Sequence, residues 1–309
     1  MAEHSKTMAR RTNRSVKRSE AASNDTGSPV KGRGNGDAHS AAAFLRKLRV
    51  RKASRHGGYG WVRDLPDARD YGYAAALTRF PHGLPPAVDL RSECPPIYDQ
   101  GQLGSCTGNG IAAVIEFDQI KQGLKPFVPS RLFIYYNERV MEGTVNQDSG
   151  AQIRDGIKSV ATLGAPPESS WPYVIGKFAT RPPARAYTIA KRDLVTSYSR
   201  VPRNLTQMQG CLAEGFPFVF GITVYDSFES DQVAQTGVVP MPSPEESVLG
   251  GHCIVAVGYD NASRRMTIRN SWGTGWGDAG YCTMPYEYLL NPHYASDFWT
   301  VRSVIARNH

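Results

Sequence analysis

The chain has 309 residues and a hydrophobic fraction of 40%, enough for one large domain or two packed lobes with a sizeable core. No apolar run approaches the ~18 residues that a membrane helix needs. Five cysteines at long spacings, with no CxxC pair, argue against a zinc cluster and against a dense disulfide framework. The net charge of +8 is uneven: residues 1–56 hold 14 Lys/Arg against 4 Asp/Glu, the remainder holds 22 against 24, and the pI of 9.2 therefore describes the tail rather than the body.

Residues 1–40 are polar, charged and poor in aromatics, which predicts disorder. No apolar stretch follows the first charges, so signal-peptide-led secretion is not expected; the chain is read as cytoplasmic, or exported by another route. "AAAFLRKLRVRK" (Ala41 to Lys52) is either a solvated basic run or a short amphipathic helix, and the tail 1–55 is a candidate contact for an anionic surface or nucleic acid. From His56 the composition shifts to Gly, Tyr and Trp, as expected of an ordered strap lying on another surface. Residues 56–84 are read as a leader, and 85–309 as the main domain.

The spacing then predicts a helix from about Cys106, stopped by Gly123, with Ile111, Val114, Ile115 and Ile120 on its buried side. A second helix is expected over Ser130 to Met141 with Ser130 as N-cap, and a third over Asp148 to Gly164. Short β-rich segments follow: "RDLVTSYSRV", "FPFVFGITVY", "HCIVAVGYD", "RRMTIRNSW" and "AGYCTM". Helices first and strands later give an α+β chain, with a site expected in the cleft between a helical N-terminal lobe and a β-rich C-terminal lobe.

In "DQGQLGSCTGNGIAAVIEF" (Asp99 to Phe117), Cys106 stands where a glycine-rich loop turns into a helix. A cysteine there is either a small buried residue or a thiol whose anion the helix N-terminus stabilises. In "GGHCIVAVGYDNASRRMTIRNSWG" (Gly250 to Gly273), two strands flank a "DNAS" turn, and His252 and Asn270 are equidistant from residue 261. An antiparallel hairpin places them as neighbours within a residue or two, so the carboxamide can orient the imidazole. A thiol, an imidazole and a carboxamide are the parts of a nucleophilic acyl-transfer site. The Cys106 N–H and the Gln100 side chain are candidate oxyanion donors, although a loop glutamine alone more often bonds backbone.

These residues resemble the papain-like cysteine peptidases. "QGQLGSC" matches the family's Q-G-x-x-G-S-C motif, "GGHCIVAVGYD" resembles the segment around its histidine, and "IRNSWGTGWGDAGY" matches N-S-W-G-x-x-W-G-x-x-G-Y. The resemblance runs from about Leu84 to Val301 and implies a two-lobed papain-like fold with Cys106, His252, Asn270 and Gln100 as catalytic residues. It implies Trp272 as a shield over the His–Asn bond, and Ser149, Gly150, Gly221 and Gly251 as substrate-binding positions. The implied partner is a peptide or protein substrate of a monomeric, cofactor-free hydrolase. A transpeptidase or a non-catalytic peptide binder on the same fold remains the alternative. The chain departs from the family where Leu103 replaces a cysteine that normally forms a disulfide, where Thr107 replaces an aromatic residue, and where Gly251 stands in place of Asp or Asn. The leader lacks a long helical propeptide pattern and resembles that of short-leader bacterial members, which suggests a zymogen.

Overall fold

The computed structural model describes residues 57–305; the basic tail and the candidate helix at Ala41 to Lys52 lie outside them. In chain order the elements are β1 (Trp61–Val62), β2 (Ala87–Asp89), α1 (Cys106–Lys121), α2 (Arg131–Glu142), β3 (Ala151–Gln152), α3 (Ile153–Thr162), α4 (Ala184–Ala190) and β4 (Val195–Arg200). They continue with α5 (Leu205–Ala213), β5 (Phe218–Tyr225), α6 (Asp231–Thr236), β6 (Val248–Asp260), β7 (Arg265–Arg269), β8 (Tyr281–Pro285), α7 (Tyr286–Leu290) and β9 (Ala295–Val304).

Seven strands form one antiparallel sheet in the order β4-β9-β5-β6-β7-β8, with β2 added to β6. The long strand β6 is its spine. Its first half pairs with β5, and its last residues lie between β2 and β7. Strand β5 is buried from Phe218 to Val224, as its unbroken apolar run predicts. Phe218, Phe220 and Phe298 pack ring to ring at 5.3–6.0 Å between centroids in the core. A second, smaller apolar cluster belongs to the helical lobe and joins Leu103, Leu132, Phe133, Tyr135, Ala151, Trp171, Ala186 and Ala190.

Helix α1 crosses between these cores and is buried on every side from Cys106 to Gln119. The expected one-sided burial therefore does not hold, and Ile120, expected inside, is 37% exposed. The helix reaches the sheet because residue 110 is glycine: a Cβ there would stand 2.9 Å from Val219 and 3.2 Å from the Cys253 sulfur. That approach carries the first turn of α1 to the strand that bears His252. Gly123, at φ +67°, ends the helix as expected, with the Leu124 N–H bonded to the Gln119 carbonyl.

Helix α2 starts as the sequence predicts: the Ser130 hydroxyl accepts the Phe133 N–H at 3.2 Å. Helix α3 begins at Ile153, five residues later than its apolar spacing suggested. Residues 151–152 are extended instead, because they pair in parallel with β1 of the leader. All five cysteines are free thiols.

Candidate active site

Three elements deliver the site. Helix α1 supplies Cys106 as its first residue, the N-terminal half of β6 supplies His252, and the segment after β7 supplies Asn270. The β6–β7 ladder ends at the pair Val255 and Arg269, one residue before Asn270 and three beyond His252. The turn-centred register is therefore right to within two residues, with a bulge between Ala256 and Gly258 taking up the difference.

His252 Nε2 lies 2.8 Å from Asn270 Oδ1. The Ser271 backbone N–H also donates to that oxygen at 2.8 Å. A backbone amide only donates, so the atom it meets is the carboxamide oxygen, and the imidazole must carry its proton on Nε2. Nδ1 is left as the lone-pair nitrogen, and it has no hydrogen-bond partner in the described structure. Trp272 lies nearly parallel over the imidazole, 4.7 Å between centroids at 28°, and is braced edge-on by Trp276 at 5.3 Å. Trp272 thus stacks on the imidazole that bonds Asn270.

The Cys106 sulfur is fully buried, with the backbone of Cys253, Gly60 and Thr107 close around it. Cys106 and the His252–Cys253 segment therefore meet at one point. Burial nonetheless pushes the thiol up to about 12, against those backbone groups, and the carboxyl of Glu138 adds to the rise. Burial likewise pulls His252 down to about 4, opposed by the Asn270 bond and by Glu229. Both groups are neutral at pH 7 in this closed arrangement.

Residues 57–61 run across it. Gln100 Nε2 donates to the Gly58 carbonyl at 2.9 Å and to the Leu103 carbonyl at 2.9 Å, while its Oε1 accepts the Ser271 hydroxyl at 2.6 Å. The Gly60 N–H donates to the Gly251 carbonyl at 3.0 Å, and the Ala151 N–H donates to the Gly60 carbonyl at 2.7 Å. Tyr59 bonds Glu229 through its hydroxyl. Trp61 is nearly buried; a Cβ on Gly221 would fall inside its indole, and one on Gly251 would stand 2.9 Å from it. Gly150, at φ +74°, lies so close to Gly60 that a side chain there would overlap the leader backbone. Gly150, Gly221 and Gly251 thus all line the leader's path. The Ser149 hydroxyl instead donates to Thr144 Oγ1 at 2.9 Å.

A buried ionic cluster fastens the strap further on. Arg200 reaches Asp64 at 3.2 Å, Asp70 at 3.0 Å and Asp297 at 2.7 Å, and Arg154 reaches Asp70 at 2.6 Å. Asp297 also accepts the Trp61 indole N–H at 3.2 Å and the Asp64 backbone N–H at 2.8 Å. Sequence reasoning missed Ser271, Glu229 and Asp297. Ser271 was within reach because it stands inside the N-S-W-G motif, whereas the two acids sit in segments with no local signature.

Comparison with known proteins identifies the family and the fold. The sequence profile described as papain family cysteine protease matches residues 84–291. An uncharacterized peptidase C1-like protein of Acanthamoeba polyphaga mimivirus is 44% identical over 270 residues, spanning 80% of this chain and 87% of its own. Cysteine proteinase 3 of Entamoeba histolytica is 30% identical over 202 residues, spanning 64% of this chain and 61% of its own. Among solved structures, xylellain, a cysteine protease from Xylella fastidiosa, superposes with a TM-score of 0.77 at 43% identity, covering 83% of this chain and 98% of xylellain.

Proposed function

The chain belongs to the papain family of cysteine proteases and is a cysteine peptidase, and on that premise we propose that it is an endopeptidase held latent by its own residues 57–84. The observation that carries this reading is the convergence of the Cys106 sulfur with the His252–Cys253 segment, with the imidazole Nδ1 left unpartnered beneath a strap of leader backbone.

Once the strap leaves, water and substrate enter, and the desolvation that keeps both groups neutral falls away. The thiol proton passes to His252 Nδ1, and the helix N-terminus stabilises the thiolate. The sulfur attacks the peptide carbonyl carbon. The oxyanion is held by the Cys106 backbone N–H and by Gln100 Nε2, which now bonds a leader carbonyl. As the C–N bond breaks, the imidazolium gives its proton to the departing amine, leaving a thioester. Water then attacks the thioester, loses a proton to His252, and the C–S bond breaks to return the thiol and a carboxylic acid. Asn270 keeps the ring in the tautomer that this sequence of steps requires.

A substrate-like epoxide tests the site: it should alkylate Cys106 in the wild type but not in His252→Ala. Digestion of a labelled peptide library tests the reaction: the active protein should generate new carboxyl termini and Cys106→Ala none. A product formed mainly with an added amine would favour the transpeptidase reading, and binding without any product would favour a peptide-binding protein. The tail 1–55 is read as a separate anion-binding element, which steeply salt-dependent nucleic-acid binding by the full chain would support.

A further inference from the structure

Beneath the first turn of α1 lies a carboxyl group that the proposed reaction does not use. Glu138, on α2, is fully buried. Its Oε2 accepts the Thr107 hydroxyl at 2.6 Å, and its Oε1 has no hydrogen-bond partner in the described structure. Thr107 follows the nucleophile directly, at the position where the family resemblance calls for an aromatic residue. Space for the acid comes from α3, since a Cβ on Gly156 would collide with Oε1 and with Ile111. Three helices thus close around one carboxyl.

The charged and titratable groups facing it are Arg139 and Glu142 on α2, Asp155 on α3, Cys106 on α1 and Cys253 on β6. Arg139 does not pair with it: that guanidinium is engaged by the carbonyls of Tyr135, Val145, Gln147 and Phe178. A carboxylate in such a place lacks a counter-ion and is costly. It would also draw on the same helix N-terminal field that a Cys106 thiolate needs, and repel that thiolate.

We propose that Glu138 is a positioning residue for the nucleophile: as the neutral acid it holds Thr107 and the first turn of α1, and as the carboxylate it opposes a thiolate at Cys106. This rests on the reading of Cys106 as the attacking group. Burial moves Glu138 up to about 8, so the switch falls where an alkaline limit on thiolate formation would be felt.

The test is carbamidomethylation of the full chain by iodoacetamide from pH 6 to 10, read by mass spectrometry on the Cys106 peptide. The rate is normalised to Cys211, which is equally buried and is not among the thiols that Glu138 faces. Glu138→Gln keeps the shape and the acceptor for Thr107 but removes the charge. Its normalised rate should match the wild type at pH 6–7 and exceed it about three- to tenfold at pH 9, the effect of half to one unit in the thiol's acidity. The wild-type profile alone should also rise less steeply above pH 8 than a single ionisation gives, a measurement that stands even if the variant fails to fold. Superimposable profiles or a single-ionisation wild-type curve would each overturn the proposal. Because labelling is read at the cysteine itself, loss or retention of peptide hydrolysis in Cys106→Ala judges the nucleophile reading separately.

Discussion

At the scale of single residues, the site works by fixing which atom of each side chain faces the reaction. The Ser271 backbone N–H settles the orientation of the Asn270 carboxamide, and that settles the imidazole tautomer. The Ser271 hydroxyl likewise bonds Gln100 Oε1, which turns Nε2 toward the place where the leader carbonyl now sits. Two consequences follow in protein freed of its leader's grip. Gln100→Ala should lose about 10²–10³ in kcat with a small change in KM, because the donor matters most where the carbonyl oxygen becomes an oxyanion. His252→Ala should lose about 10²–10⁴, having neither base nor acid. Steady-state kinetics on one fluorogenic peptide measures both, and a Gln100→Ala effect confined to KM would remove that side chain from the oxyanion site.

At the scale of elements, the β1 strand is short but it sets one large side chain against β5 and β6. The Trp61 indole fills the space left by Gly221 and Gly251 and donates to Asp297. Trp61→Ala should weaken that seat by about 3–5 kcal/mol, the range for deleting a large aromatic from a packed site, less what relaxation recovers. The full-length variant should then show faster peptide hydrolysis and faster Cys106 alkylation than wild type, and unchanged values in both assays would refute latency through the strap. How much of this was legible in the sequence differs by element. Helix α2 was readable because Ser130 and the following apolar run act locally, and the β6–β7 hairpin because "DNAS" sets its own register. The start of α3 was not readable: Ala151 and Gln152 are extended only because a strand some 90 residues away pairs with them. Cys106, His252, Asn270 and Gln100 were candidates through motifs and spacing. Glu138, Asp297 and Arg200 were not, since an isolated charged residue has no period, and its burial depends on what packs over it.

At the scale of the whole molecule, burying α1 on all sides has a consequence for stability, because the helix carries acids into the interior. Both carboxylate oxygens of Asp118 are buried without a hydrogen-bond partner, and burial pushes this group up to about 8, with Arg302 and Lys121 pulling the other way. Glu138 is moved up to about 8 by burial as well. In the unfolded chain these groups titrate near 4. Between about pH 4 and pH 8 the folded protein therefore holds protons that the unfolded chain has released, and stability must fall as pH rises through that window. The stabilising proton is fully present only below the unfolded values, which is the reverse of a salt-bridged surface carboxylate. Thermal unfolding should thus give a lower Tm at pH 9 than at pH 5. Asp118→Asn, which is close in shape and cannot ionise, should recover at least about 1 kcal/mol at pH 9, or roughly 2–4 °C for a domain of this size. At pH 5, only about one unit above the unfolded value, the same variant should gain much less. A variant stabilised equally at both pH values would mean that the benefit lies in packing and that Asp118 carries no proton in the native interior.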